Sequence, residues 1–360
     1  MKTLNDIRQE IDSIDNEILS LLNKRANLVI EVGKIKKANG SPVWVNSREE
    51  AIYSRLKELN PGPFPQHSLR NVFREIISAS LCLEEEIRVA YLGPIGTFSN
   101  LAAVKRFGQS AKLIPVRNIA EIFQGVEKGH MHYGIVPVEN SLEGAINQSL
   151  DMFMESNVSI FGEIYVEIAE NLLNKTGRKE DIKKIYSHAS PLGQCAKWLN
   201  KHFPDIELVP CESTAYAAEM AQKDESIAAI GSELAEAVYN LKVIERHIED
   251  GPGNYTRFVV ISNNSNKNYL EPTGNDKTSI MFSVHHKSGA LYDLLEVFKK
   301  GNINMTTIDS RPSKQKPWEY LFYTDIDGHL EDEHIKVVLK EFMDKAPISK
   351  ILGSYPKGDF

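Results

Sequence analysis

The chain has 360 residues, 42% hydrophobic and 25% charged, with a formal net charge of −7. That is the composition of a folded globular protein, and at ~100–200 residues per domain it predicts two or three domains. A mildly acidic chain argues against nucleic acid or an anionic membrane as the main partner. The cysteines Cys82, Cys195 and Cys211 are too scattered for a disulfide framework or a thiolate metal site. The opening MKTLNDIRQEID carries no apolar core, so no secretory signal is expected, and no stretch approaches the ~18 apolar residues of a membrane span. A cytoplasmic protein is the expectation.

Residues 1–87 read as an all-α domain. Leu4, Ile7, Ile11, Ile14, Ile18, Leu21, Leu28, Val32 and Ile35 recur with alternating three- and four-residue spacing, a heptad seam interrupted by Arg25. Arg25 is either a cation snorkelling at the seam edge or one that meets a buried anion. Lys36 shares its face about 16 Å further along. A helix over residues 4–37 would be about 50 Å long, too long for so short a segment to cover, so a homodimer or higher oligomer is predicted. Arg48 and Glu49 fall in the first turn of a second helix. A third buries Leu69, Phe73, Ile76 and Ile77, and its apolar stripe runs on through Ser80 to Glu84, where a carboxyl is out of place.

Residues 88–262 alternate short apolar strands with amphipathic helices, the pattern of an α/β domain. Polar residues gather at strand ends: Thr97 after the Gly93–Gly96 turn, Asn140 in YGIVPVENSLEGAI, Ser187 and Gln194 in IYSHASPLGQC, Ser213 and Thr214 in CESTAYAA, Thr256 and Arg257 in GNYTRFVVIS. Each alone is a cap or a turn residue. Together they lie where α/β sheets bind ligands. The Gly93 turn has neither dinucleotide nor Walker spacing, so no nucleotide is expected. The pairs His130/His132 and His285/His286 lack further ligands at metal spacing, and Cys195 lacks a histidine partner, so no metal, cofactor or thiolate nucleophile is predicted. NNSNKNYLEPTGND, residues 263–276, reads as a linker. Residues 277–360 then follow the order strand, helix, strand, strand, helix, strand, a ferredoxin-like α+β unit.

The segments IRQEID, LLNKRANLVIEVGKIK, SREE and FREIISASLCLEE closely resemble the all-helical chorismate mutase family across nearly all of residues 4–86. The resemblance implies that Arg25, Lys36 and Arg48 bind chorismate from one protomer, Arg8 reaches in from the other, and Glu49 takes the substrate hydroxyl. Ser80 and Glu84 join the site. A Claisen rearrangement needs a compact conformer held still and charge relief at the breaking ether oxygen. Lys36 supplies one donor to that oxygen. Glu84 has to carry a proton to supply another, so turnover is expected to fall as that proton is lost at higher pH. Many relatives have Asp where Val45 stands.

GPIGTFS, VPVENS-x-EG, YSH, GQC, STAYAA, AIGS and N-x-TRF, in that order, closely resemble prephenate dehydratase, whose fold has two lobes like a periplasmic binding protein with the substrate between them. Thr256 matches the catalytic threonine. Thr97, Asn140, Ser187, Gln194, Ser213 and Thr214 match polar cleft positions. Arg257 either holds a carboxylate or braces its strand. Relatives often have Pro-Gln where Ala189 and Ser190 stand. Gly289-Ala290-Leu291 and Asp309-Ser310-Arg311-Pro312 resemble the phenylalanine-sensing motifs of the ACT domain, with Asp309 in place of the usual Glu. The combined resemblance is to a bifunctional chorismate mutase/prephenate dehydratase that turns chorismate into prephenate and prephenate into phenylpyruvate, with L-phenylalanine as feedback inhibitor at an ACT–ACT interface. The alternative is a non-catalytic small-ligand sensor built from a periplasmic-type cleft and an ACT domain.

Overall fold

A computed structural model describes residues 2–39, 44, 46–251, 253–263, 271–312 and 320–358. The chain forms two compact units. The first holds the residues up to Arg88, joined by Phe107–Lys112; the second holds Val89–Arg106 and the rest of the described chain from Leu113.

The first unit is helical: α1 (Leu4–Asn39), α2 (Asn46–Leu59) and α3 (Gln66–Glu84). Helix α1 has 36 residues and none of them is buried. Its half-buried residues Leu22, Arg25, Ala26, Val29, Gly33 and Lys36 form the stripe that turns toward α3. Gly33 allows the closest approach, since a Cβ there would stand 3.1 Å from the Cβ of Glu84. The heptad seam lies beside this stripe and stays open. Leu4, Ile14, Leu21, Leu28 and Ile35 are each more than half exposed.

The second unit begins with a six-stranded sheet. Its elements are β1 (Arg88–Leu92), α4 (Phe98–Phe107), β2 (Lys112–Val116), α5 (Ile119–Glu127), β3 (Tyr133–Asn140), β4 (Gly144–Ala145), α6 (Asn147–Glu155) and β5 (Val158–Glu167). The chain then crosses into a five-stranded sheet: β6 (Asn171–Asn174), β7 (Lys184–Ser187), α7 (Ala189–Gln194), α8 (Ala196–His202), β8 (Glu207–Pro210), α9 (Thr214–Lys223), β9 (Ile227–Gly231), α10 (Leu234–Val238) and β10 (Lys242–Glu245). It returns to the first sheet as β11 (Tyr255–Asn263). The strand orders are β2-β1-β3-β11-β5, with β4 on β3, and β10-β6-β9-β7-β8. Two lobes joined by two crossings thus follow from one excursion of the chain, the arrangement implied by the dehydratase resemblance.

The crossings run side by side. Ile168 N–H donates to the Asn254 carbonyl (2.8 Å) and Ile248 N–H to that of Glu170 (2.9 Å). The Glu170 side chain is buried, its two carboxylate oxygens have no hydrogen-bond partner among the described residues, and its own N–H donates to Glu249 Oε2 at 2.9 Å. Burial, and after it the like charge of Glu249, pushes the Glu170 carboxyl up to about 8.

The C-terminal elements β12 (Asp276–Ser283), α11 (Ala290–Lys300), β13 (Met305–Pro312), β14 (Tyr320–Asp327), α12 (Glu333–Lys345) and β15 (Ser349–Pro356) form a four-stranded antiparallel sheet in the order β13-β14-β12-β15. This is the expected βαββαβ arrangement. The strands take one residue from each end of the expected linker, and residues 264–270 of that linker lie outside the described residues. Alternation divides the sheet. Ile280, Phe282 and Ile326 pack with Leu294, Phe298 and Phe342 of the two helices, while Met281, Tyr323, Leu352 and Tyr355 join a core with Val136, Phe153, Ile160 and Val259 of the six-stranded sheet. The C-terminal sheet therefore shares a core with the first lobe, where the sequence suggests a module set apart by its linker. Contact is closest where β15 crosses β5: a Cβ on Gly353 would fall 2.1 Å from the Ile160 carbonyl oxygen.

Two stability measurements check these features. Gly353→Ala is expected to force the two backbones apart and destabilise the chain by about 1–3 kcal/mol or more, read as a lower urea midpoint; an unchanged midpoint would contradict the contact. Glu170 binds its proton more tightly folded than unfolded, so it makes stability fall as pH rises from the ordinary carboxyl range to about 8. Glu170→Gln is expected to melt near the wild type at pH 4.5 and progressively above it toward pH 8.

Candidate functional site

In the helical unit, Arg25 donates through Nη1 to Ser80 Oγ, and that hydroxyl donates to the Ile76 carbonyl at 2.6 Å. Lys36 Nζ lies 3.0 Å from Glu84 Oε2, whose side chain is only 5% exposed. Three of the expected groups, Arg25, Lys36 and Glu84, therefore meet along the α1–α3 contact, with Ser80 as a fourth. Burial and then the like charge of Arg48 lower the proton affinity of the Arg25 guanidinium. Two neighbouring cations are a charge arrangement that suits a polyanion.

Glu49 is buried and held by two residues that sequence reading did not single out: Trp44 Nε1 donates to one carboxylate oxygen (2.8 Å) and Tyr53 OH to the other (2.7 Å). Nothing in the sequence distance of four or five residues marks Trp44 and Tyr53 as its holders; the first turn of α2 decides it. Arg8 is exposed on α1 about 26 Å from Arg25 along the helix axis, so one protomer does not bring the two together. Val45 lies outside the described residues.

In the second unit, β3 and β11 pair with Asn140 opposite Thr256. Asn140 Oδ1 accepts from the N–H groups of Leu142 and Glu143, both at 3.0 Å, which turns its Nδ2 toward Thr256 Oγ1 (3.0 Å) and Asn254 Oδ1 (2.8 Å). Thr256 therefore uses a lone pair to accept from Asn140, and its O–H stays directed elsewhere, polarised for donation. The network continues into the second lobe. Asn254 Nδ2 donates to Gln194 Oε1 (3.1 Å), Gln194 Nε2 to Ser190 Oγ (3.1 Å), and Ser190 Oγ to Glu143 Oε1 (2.6 Å). Asn140, Gln194 and Thr256 thus come together as one hydrogen-bonded set spanning both lobes.

Asn254, Glu143 and Ser190 belong to that set and were not singled out from the sequence. The first two stand inside N-x-TRF and VPVENS-x-EG, and Ser190 is one of the departures already noted. Their roles became visible only when two distant segments met. Ser232 Oγ donates to the Gly96 carbonyl (2.8 Å) and Tyr239 OH to that of Ile95 (2.9 Å), so the Gly93 turn is also tied across the lobes.

The remaining expected groups divide. Thr97 donates to the Pro94 carbonyl (3.0 Å), Ser213 accepts from Tyr216 N–H as the cap of α9 (3.0 Å), and half-buried Thr214 opens that helix. All three sit at helix starts beside strand ends. Ser187 is fully buried and its hydroxyl donates to the Ile230 carbonyl (2.8 Å), a contact within the five-stranded sheet.

Arg257 reads in sequence as a carboxylate holder or a strand brace. It lies on the opposite face of β11 from Thr256, with Nε 2.7 Å from Glu163, Nη1 2.6 Å from Asp325 and Nη2 2.9 Å from Tyr355 OH. Of the two sequence readings, bracing is the one its contacts satisfy. Cys195 is buried, and burial, followed by Glu170, Glu249 and Asp250, raises its thiol far above the ordinary range, which keeps it unreactive.

In the C-terminal sheet Asp309 and Arg311 face the first lobe, where Arg311 pairs with Asp151 of α6 (3.3 Å), while Ser310 lies on the other face with Phe322. Gly289, in a left-handed conformation at φ 78°, precedes buried Ala290 and half-buried Leu291 at the start of α11. Pro312 ends β13.

The chain matches the family model for chorismate mutase type II at residues 7–85 and that for prephenate dehydratase at residues 89–266. A bifunctional chorismate mutase/prephenate dehydratase of Aquifex aeolicus is 47% identical over 361 aligned positions, covering 99% of each chain. Among solved structures, a prephenate dehydratase of Arthrobacter aurescens in complex with L-Phe is similar with a TM-score of 0.69 and 32% identity, covering 75% of this chain and 90% of that one. A structure described as GqqA, a novel type of quorum-quenching acylase, has a TM-score of 0.68 at 26% identity, covering 75% of this chain and 98% of that one.

Proposed function

The chain belongs to the bifunctional chorismate mutase/prephenate dehydratase family, and from that premise we propose how its residues divide the two reactions. It is an enzyme of phenylalanine biosynthesis: the helical region rearranges chorismate to prephenate, and the larger unit converts prephenate to phenylpyruvate. The sensor-only reading has no support, since the relatives aligned over the whole chain are enzymes.

In the mutase site Arg25 and Arg48, with Arg8 of a second copy, hold the two carboxylates of chorismate and so enforce the compact conformer in which the new bond forms. Lys36 donates to the ether oxygen as charge builds there. Glu84, 3.0 Å from Lys36, donates to the same oxygen when protonated. Glu49, fixed by Trp44 and Tyr53, takes the ring hydroxyl.

In the dehydratase site the network from Asn140 to Gln194 is the observation that carries the reading. Loss of carbon dioxide and of the ring hydroxyl makes the ring aromatic. The bond electrons freed by decarboxylation enter the ring, the C–O bond breaks, and the departing hydroxide takes a proton to leave as water. Thr256 donates a hydrogen bond to that leaving oxygen, and Asn140 holds the threonine in the orientation to do so. Thr97, Ser213 and Thr214 line the strand ends and offer hydroxyls to the substrate.

The C-terminal unit acts as an ACT domain that binds L-phenylalanine through Gly289, Ala290, Leu291 and the Asp309–Pro312 strand, and lowers dehydratase turnover. The open α1 seam and the outer edge of β13 are surfaces for a second copy, making the working enzyme a homodimer or larger. Three unpaired cysteines fit a reducing cytoplasm.

The purified chain given chorismate is expected to produce phenylpyruvate, with prephenate detectable in between and L-phenylalanine slowing the second step. Absence of phenylpyruvate from added prephenate would refute the dehydratase assignment. Thr256→Ala is expected to lower dehydratase turnover by about 100-fold or more while mutase turnover persists. Glu84→Gln keeps a side-chain donor beside Lys36 and is expected to retain mutase turnover, whereas Glu84→Ala is expected to lose it.

A further inference from the structure

Arg257 stands next to Thr256 in β11 but serves the opposite face, and its partners come from two sheets. Glu163 of β5 belongs to the first lobe; Asp325 of β14 and Tyr355 of β15 belong to the C-terminal sheet. A second cation, Lys277 of β12, lies 3.0 Å from the other oxygen of Glu163. Ser279 donates to Asp325 at 2.5 Å and shares a hydrogen bond with Tyr355 OH at 2.6 Å. The side chains of Arg257, Lys277, Glu163 and Asp325 are at most 8% exposed. Two buried cations face two buried carboxylates, with the more exposed Glu139 3.8 Å from Arg257 as a third, and each buried member depends on the others.

Burial opposes charge on Arg257, but Tyr355, Asp325 and Glu163 more than offset it and keep the guanidinium charged. Burial likewise opposes ionisation of Asp325, and Arg257 with the Ser279 hydroxyl overcomes it. Beside the node a pocket is lined by Glu139, Arg257, Asp309, Thr307, Ser279 and Asp325. Glu139 is the residue opposite Arg257 on β3 and the immediate neighbour of Asn140. The polar face of β11 that carries Thr256 is thus backed by a clamp whose outer jaw is not part of the dehydratase lobes.

We propose that Arg257 is a positioning residue for Thr256, and that Asp325 of the C-terminal sheet sets its position. The clamp holds β11 in register against β3 and keeps the Thr256 hydroxyl on Asn140, so the C-terminal sheet supports the dehydratase site directly as well as carrying the effector. The inference rests on Thr256 being the proton donor, and Asp309 in the adjoining pocket places the effector strand within reach of the same node.

The test is dehydratase kinetics of the full chain, with the urea midpoint of each variant reporting the folding of the second unit. Arg257→Gln is expected to lower kcat about tenfold or more while KM for prephenate stays within about twofold, the signature of a lost transition-state alignment. Arg257→Lys keeps the charge without the fork and is expected to recover part of the loss. Asp325→Asn is expected to show the same kcat-only loss, and the double variant Arg257→Gln/Asp325→Asn to be no worse than Arg257→Gln alone, because the two act as one unit. A tenfold rise in KM with kcat retained would make Arg257 a substrate ligand and overturn the proposal. So would wild-type kcat in Asp325→Asn, or fully additive losses. Undiminished turnover in Thr256→Ala would instead fault the assignment of Thr256 itself.

Discussion

Successive side chains of a β-strand leave on opposite faces, and in β11 that rule separates two jobs. Thr256 turns to the polar network that spans the lobes; Arg257, one residue on, turns to the buried ion node shared with the C-terminal sheet. A slip of one residue in the pairing of β11 with β3 would exchange them. The hydroxyl would be lost among ions and the guanidinium would enter the cleft. Removing one member of a buried pair costs about 3–5 kcal/mol, a large part of the stability of most domains. The node therefore does much to hold that register.

The same strand explains why the lobes communicate. Its entry segment carries Asn254, which donates to Gln194 at the end of α7, while Glu143 from the β3–β4 turn meets Ser190 on that helix. Movement of one lobe against the other has to break or rearrange these bonds. The two crossings run antiparallel, with Glu170 N–H donating to Glu249 Oε2, and a Glu170 carboxyl raised by burial avoids placing two like charges there.

The helical region obeys a different constraint. A helix of 36 residues with no buried residue is stable only when its apolar seam is covered. Its inward stripe brings Arg25, Lys36 and Glu84 together within one chain, whereas Arg8 belongs to the far end of the same helix. A second copy laid along the seam with its far end beside Arg25 would cover the apolar residues and supply Arg8 in one step.

Periodicity and motif order were enough to read the helical seam, the strand-end location of Asn140 and Thr256, and the βαββαβ tail, because those properties are local: they depend on spacing along the chain and on residue chemistry. Contacts between distant segments were not readable. The sequence places Ser187 and Arg257 beside the other cleft residues, and folding commits one to a neighbouring carbonyl and the other to Glu163 and Asp325. Trp44, Tyr53, Asn254 and Glu143 gained their roles from partners that only the fold delivers. A linker rich in Asn suggests an independent tail, yet Met281, Tyr323 and Leu352 bury themselves in the core of the first lobe. Which face a polar side chain serves, and which charge it meets, is settled by sheet register and by the cost of leaving a buried ion unpaired. Neither quantity exists until the strands are side by side.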